Sequence, residues 1–233
     1  MFDSIAGSYD SLNHWLSLDV DKTWRRRALK LITDAPAGTQ VLDLACGTGD
    51  FSIAIAKALA KRDGGKEATT SHVTGVDLSE GMLAVMREKV AKADLGKMIG
   101  IEEGDGENLR FGDSSFDRVT IAFGIRNFEN RLKGLQEMLR VLKPGGRLVI
   151  LELSRPENPV LRWFYDLYFL HILPKIGGKV SGDKAAYAYL PASVAAFPGK
   201  KEFMGLMAEA GFRNVRHKAL TFGLCRLYTG EKQ

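Results

Sequence analysis

From Gln40 onward, short apolar runs alternate with stretches where apolar residues recur every three or four positions. That pattern predicts strand–helix units laid on a parallel sheet. Val41-Leu42-Asp43-Leu44 predicts a first strand that runs into Cys46-Gly47-Thr48-Gly49-Asp50, with a helix over Phe51 to Lys61. A polar loop, Arg62 to Ser71, precedes a second strand, Val73 to Val76, which ends at Asp77; Ser79-Glu80 then opens a helix over Gly81 to Ala93. Further strands are predicted at Ile99 to Glu102 and Arg118 to Ala122. Leu132, Leu135, Leu139 and Leu142 share one side of a helix that Asn130 caps. Lys143-Pro144-Gly145-Gly146 predicts a turn, and Leu148 to Leu151 a strand buried on both faces. The final helix, Lys200 to Ala210, stops at Gly211, and two strands around Val215 to Leu220 and Leu224 to Thr229 are expected to form an antiparallel edge pair.

Two segments stand outside the alternation, 1–39 and 157–198. The second crowds Trp163, Phe164, Tyr165, Tyr168, Phe169, Tyr187, Tyr189 and Phe197 together. Such segments can cover the carboxyl ends of the strands, where open α/β sheets place their ligands. The expected organisation is one domain over 1–233. Within it, 1–39 forms a lid, 40–156 the binding core, 157–198 an aromatic-rich insert and 199–233 the last helix with the edge strands.

Composition narrows the field. With 45% apolar and 26% charged residues, the 233-residue chain is ordinary globular material. Its net charge of +5 suits an anionic ligand, a membrane surface or nucleic acid without choosing among them. The two cysteines, Cys46 and Cys225, lie too far apart in sequence for a zinc spacing or a disulfide framework, which points to a reducing compartment and no metal. The N-terminus lacks the apolar core of a signal peptide, and no run of about 18 apolar residues exists to span a membrane. A cytoplasmic location is therefore expected.

The chemistry begins at the glycine loop. A strand that runs through glycines into a helix presents backbone N–H groups and a positive dipole end. Gly47 and Gly49 let a ligand approach the main chain without meeting a Cβ. Asp77, at the end of the next strand, is placed to accept both hydroxyls of a ribose. A dinucleotide fingerprint requires a third glycine, and Ser52 occupies that position. The absence counts against a nicotinamide or flavin dinucleotide.

Asp43-Leu44-Ala45-Cys46-Gly47-Thr48-Gly49 resembles the first motif of the class I methyltransferases that use S-adenosyl-methionine, with Ala45 in place of their first glycine. The resemblance implies a mostly parallel seven-stranded α/β sheet, helices on both faces and an antiparallel last strand. It also implies a cofactor site made of Asp43, Gly47, Thr48, Gly49 and Asp77, with Asp105 and Gly106 beside the adenine. The chain carries neither the proline motif of amino-directed nucleic-acid methyltransferases nor a cysteine placed for pyrimidine C5 chemistry, so nucleic acid is not the expected partner.

Two further stretches resemble the quinone C-methyltransferases of menaquinone and ubiquinone synthesis. The first joins Tyr9-Asp10, Asn13, Ser17 and Trp24, with Asp21 where that family usually carries His. The second runs from Arg140-Val141-Leu142-Lys143-Pro144-Gly145-Gly146 to Glu152 and Ser154. Phe123-Gly124-Ile125-Arg126-Asn127 matches the block after strand four, although Ala122 stands where relatives often have Ser. The resemblance implies methylation of a ring carbon in a polyprenyl quinol, either demethylmenaquinol or a benzoquinol.

Charge on the acceptor's ring oxygen makes that carbon nucleophilic, and a cation beside the oxygen stabilises it. Arg126 is the expected cation, against the alternative of a surface arginine paired with Glu129, and Asn127 is expected to bond the same oxygen. Tyr9 and Tyr165 are expected at the lid and acceptor side. His14 and His171 are the alternative bases. Leu161, Phe164, Tyr165, Tyr168 and Ile172 predict an apolar helix face which, with Arg162, Lys175 and Lys179, suits peripheral contact with a membrane. The oligomeric state stays open, a homodimer being one expectation.

Overall fold

A computed structural model describes residues 20–167 and 184–233. Tyr9, Asp10, Asn13, His14, Ser17, Tyr168, Phe169, His171, Ile172, Lys175 and Lys179 therefore lie outside the described residues. In chain order the elements are α1 Val20–Thr33, β1 Gln40–Leu44, α2 Asp50–Arg62, β2 His72–Asp77, α3 Glu80–Lys92, β3 Ile99–Glu103 and β4 Phe116–Ala122. A 3₁₀ turn over Ile125–Asn127 leads to α4 Arg131–Val141, β5 Leu142–Leu153, α5 Pro159–Asp166, α6 Lys184–Ala196, α7 Lys200–Glu209, β6 Arg213–Leu220 and β7 Cys225–Glu231.

Seven strands form one sheet in the order β3-β2-β1-β4-β5-β7-β6. The first five are parallel; β7 runs antiparallel to both β5 and β6. The α/β class with helices on both faces is as expected. One side buries Trp24, Ala28 and Ile32 of α1, Phe51 and Ile55 of α2, and Leu83 and Met86 of α3 against Val41, Val73, Val149 and Leu151. The other packs Leu135 and Met138 of α4 and Phe203 and Met207 of α7 against Leu42, Leu44, Ile121 and Ile150. Strand positions alternate between these clusters, so both sheet faces are dry and the central strands read as continuous apolar runs. Asn130 caps α4 as predicted, its side chain accepting from Lys133 N at 3.0 Å.

The last two strands form the expected antiparallel pair at the sheet's edge, with β7 against β5 and with β6 at the rim, its Arg213, Arg216 and Lys218 exposed. One detail differs from expectation. Lys143 to Gly146 belongs to β5, and its pairing with β4 shifts register between Phe116 and Arg118. The Pro-Gly-Gly turn chemistry is absorbed there as an irregularity in the ladder. Far from it in sequence, Trp24 Nε1 donates to Thr221 Oγ1 at 2.8 Å, joining α1 to the connection between β6 and β7.

Candidate active site

The parallel strands point their carboxyl ends at a cleft of about 330 Å³. That volume sits at the lower end of the ~300–1,000 Å³ typical of ligand sites. Ala45, Gly47, Asp77, Leu78, Asp105 and Gly106 line it from the β1–β3 side, and Phe123, Gly124, Asn127 and Phe128 from the β4 side. The topology explains the meeting. β1 lies between β2 and β4, so the loops leaving these three strands converge at one rim.

The β1 loop is held by main-chain geometry. Ala45, Gly47 and Gly49 adopt left-handed φ values of 48°, 55° and 82°. Ala45, which replaces the glycine of the resembled motif, carries the strain of a side chain in that region, about 1–2 kcal/mol. Gly124 makes room for it, since a Cβ there would lie 2.5 Å from that of Ala45. A Cβ on Gly49 would meet Met86 Cγ at 2.4 Å, whereas one on Gly47 would meet nothing within 4 Å. Gly47 thus keeps a piece of backbone open to the cleft, and Gly49 lets α2 approach α3.

Asp77 stitches this loop to the next element. One carboxylate oxygen accepts from Gly47 N at 2.8 Å and the other from Ser79 N at 2.9 Å. Each oxygen retains lone-pair capacity for a ligand hydroxyl. Asp105 accepts from Glu107 N at 2.8 Å and also lines the cleft. Phe128 slots between two glycines: a Cβ on Gly106 would come within 2.5 Å of its ring, and one on Gly134 within 2.4 Å. Exposed backbone, two carboxylates and an apolar wall suit a nucleoside carrying a cationic tail. S-adenosyl-methionine fits the residues present.

Asp43 and Thr48 sit elsewhere than expected. Asp43 is buried beneath the loop and accepts from Ser52 Oγ at 2.5 Å. Burial raises its pKa to about 7, against the opposing pull of the Ser52 hydrogen bond and the Arg25 charge. Ser52, where a dinucleotide site has glycine, is that acid's partner. Thr48 is also buried, and its hydroxyl accepts from Lys89 Nζ at 3.0 Å. Both residues support the loop from behind.

On the β4 side the alternative of a surface arginine paired with Glu129 is overturned: Arg126 is buried and its partner is Glu152. Glu152 is fully buried at the end of β5. Its carboxylate accepts from Arg126 Nη1 at 2.9 Å, from Arg126 N at 3.1 Å and from Leu153 N at 2.8 Å. Arg126 Nε reaches Ser193 Oγ at 3.3 Å, and Nη1 also donates to the Phe123 carbonyl. The guanidinium therefore clamps the turn instead of standing free in the cleft. Asn127 does line the cleft, and its Oδ1 accepts from Tyr189 OH at 2.9 Å.

Tyr165, on α5, is not among the cleft-lining residues; burial pushes its pKa up to about 12, and the Arg126 charge reaches it. Helix α5 turns Val160 and Trp163 toward solvent, and Leu167, just past its end, is exposed as well. Sequence reasoning missed Glu152 as a partner, and also Phe128 and Tyr189. The glycines at 106 and 134, the second within the first turn of α4, were the available sign of a ring packed between them. Among the described residues no cluster of His, Cys, Asp and Glu suits a metal ion, and no helix is long and apolar enough to cross a membrane.

A parallel sheet with an antiparallel β7 and a glycine loop facing two acids defines a class I methyltransferase fold. Solved structures share it. A SAM-dependent methyltransferase from Aquifex aeolicus aligns with TM-score 0.62 at 20% identity, covering 88% of each chain. Phosphoethanolamine N-methyltransferase 2 of Haemonchus contortus, in complex with S-adenosyl-L-methionine, aligns with TM-score 0.65 at 17% identity over 90% of this chain and 52% of that one. At these identities the likeness is one of fold.

The sequence goes further: residues 1–232 match the ubiE/COQ5 methyltransferase family, and the chain belongs to it. It is 49% identical to the ubiquinone/menaquinone biosynthesis C-methyltransferase UbiE of Geobacter sulfurreducens, over 100% of this chain and 87% of that protein. To the demethylmenaquinone methyltransferase of Bacteroides fragilis it is 43% identical, over 100% of this chain and 91% of the other. The chain is a methyltransferase whose methyl donor is S-adenosyl-methionine.

Proposed function

We propose that this protein methylates a ring carbon of a polyprenyl quinol, with demethylmenaquinol as the acceptor. The observation that carries the reading is the full-length match to quinone-pathway C-methyltransferases, together with a cleft whose polar groups suit a nucleoside on one side and a hydroxylated ring on the other. S-adenosyl-methionine supplies an electrophilic methyl group on a sulfonium and leaves as S-adenosyl-homocysteine.

In this reading Gly47 and Gly49 shape the loop that receives the cofactor's amino-acid end. Asp77 accepts from its ribose hydroxyls, Asp105 and Gly106 border the adenine, and Asp43 and Thr48 keep the loop in register. Asn127 donates to the acceptor's ring oxygen as its hydroxyl proton departs and charge moves onto the ring. Arg126, neutralised by Glu152, holds that turn at the correct depth. The ring carbon bonds to the methyl group as the methyl–sulfur bond breaks, then gives up its hydrogen as a proton while the ring oxygen regains one from solvent, so that one proton is released in all. Positioning of the two reactants supplies much of the remaining acceleration.

Incubation with S-adenosyl-methionine and either demethylmenaquinol or a demethylated polyprenyl-benzoquinol, followed by mass spectrometry, tests the acceptor. A gain of one methyl group on the naphthoquinol is expected, and no product from it overturns the assignment. Benzoquinol methylation is the second reading, favoured by the dual pathway name of the Geobacter relative. Val160, Trp163 and Leu167 are proposed to touch the bilayer where such a quinol resides. Co-sedimentation with anionic liposomes should fall when all three become Ser, and unchanged binding removes that contact.

A further inference from the structure

Tyr189 belongs to α6, in the aromatic segment that the strand–helix alternation leaves unexplained. Its hydroxyl donates to Asn127 Oδ1 at 2.9 Å. Ser193, one helical turn further along the same helix, meets Arg126 Nε at 3.3 Å. Residues spaced i and i+4 share a helix face. So one face of α6 grips two consecutive residues of the turn after β4, while Glu152 grips that turn from the sheet side.

We infer that Tyr189 is a positioning residue for methyl transfer: by engaging Oδ1 it orients the Asn127 amide so that the NH₂ group donates into the cleft. The inference rests on the quinol reading of the site. A primary amide has an accepting end and a donating end of nearly equal shape, and its terminal torsion is broad and roughly two-fold. An amide free to turn would present its oxygen to the acceptor's ring oxygen part of the time, and that contact opposes the charge that methylation requires there. A donor committed to Oδ1 selects the productive end. Among the described residues no hydrogen bond from Asn127 Nδ2 competes with a ligand, and Asn127 lines the cleft. The acceptor class this implies carries a ring oxygen able to bear negative charge beside the carbon to be methylated.

Tyr189→Phe keeps the ring and removes only the hydroxyl. It should lower kcat ~10-fold, the worth of one hydrogen bond in the transition state, while the Kd for S-adenosyl-methionine and the Tm stay as in the wild type. Asn127→Ala should lower kcat ~100-fold, and adding Tyr189→Phe to it should cost nothing more, because the two groups act as one. Unchanged kcat in Tyr189→Phe overturns the inference. So does a loss that adds in full to that of Asn127→Ala, or one that tracks falls in Tm and cofactor affinity, as simple packing would give.

A second measurement needs no acceptor. In the cofactor complex, the side-chain ¹⁵N–¹H₂ signal of Asn127, assigned by its disappearance in Asn127→Ala, should be as rigid as the backbone and become mobile in Tyr189→Phe. An equally rigid amide in the variant overturns the inference. Wild-type protein that methylates neither quinol yet shows the locked amide would remove the acceptor reading and leave the orientation of Asn127 standing. Active wild type with an indifferent Tyr189→Phe would remove this inference alone.

Discussion

The wall of the cleft that follows β1 and β2 is made largely of main chain, whereas the wall that follows β4 is made of side chains. On the first, Gly47 offers bare backbone and Asp77 ties two N–H groups together. Behind the second, Glu152, Arg126, Ser193 and Tyr189 join Asn127, which lines the cleft, in a polar network drawn from β5, α6 and the turn. Main-chain geometry recognises features that every S-adenosyl-methionine shares. Side-chain networks are where one acceptor is told from another, because an unmatched buried polar group is costly. The same contrast separates the two buried acids. Asp43 has a neutral hydroxyl as its hydrogen-bond partner and its pKa climbs, while Glu152 has a guanidinium.

That contrast can be broken from the acceptor side first. Glu152→Ala leaves Arg126 buried without its counter-charge and should cost 3–5 kcal/mol of stability, the usual range for opening a buried pair from one end. Chemical denaturation would measure it, and a loss below about 1 kcal/mol would mean that the clamp is ornamental.

Asp43 sharpens the comparison through pH. Its acid is raised in the fold from 3.8 to about 7. Between those values the native state keeps a proton that the unfolded chain has released. The stabilisation is therefore fully present below about pH 4 and is lost as pH rises toward 7. Unfolding free energy should decline by roughly 4 kcal/mol across that window on account of this group, and Asp43→Asn should flatten the decline. Parallel curves for the two proteins would show that Asp43 titrates as an ordinary carboxyl.

On the main-chain wall, Gly49→Ala drives a methyl group against Met86 at a φ of 82° and should destabilise by about 1–3 kcal/mol. Gly47→Ala, with open space ahead of it, should fold nearly as well and bind S-adenosyl-methionine less tightly, since its Cβ occupies ligand space. Equal thermal stability of the two variants would contradict the division of labour between these glycines. Smallest is Asp77→Asn, which keeps the shape and one accepting atom. Titration calorimetry should show a roughly tenfold weaker cofactor, about 1.4 kcal/mol, and an unchanged affinity would remove the ribose assignment.

The contrast between walls also marks what the sequence made legible. Glycines, strand ends and helix caps are local signals, so the β1 loop, Asp77, Asp105 and the Asn130 cap could be placed from neighbours in the chain. The acceptor wall is non-local. Glu129, three residues from Arg126, was the partner that the alternative surface reading offered. The actual one lies 26 residues away, because β4 and β5 pair in parallel with Ala122 opposite Leu151. Once that register is known, a residue just past β4 and one just past Leu151 must be neighbours, but no local periodicity states the register. Tyr189 was noticed only as one aromatic among many, since the helix that aims it at Asn127 crosses from a segment with no strand–helix pattern. The antiparallel pair at the sheet's edge was legible, but which of its strands lies against β5 is a property of the whole sheet.

One consequence follows from that placement. With β7 inside the sheet, the outermost rail on this flank is β6, studded with Arg213, Arg216 and Lys218. Two copies meeting rail to rail would press like charges together along the seam, a recognised guard against runaway sheet extension. Crowded at high concentration in dilute buffer, the molecules should repel along this flank, and added salt, by shrinking the screening length to a few ångströms, should weaken that protection.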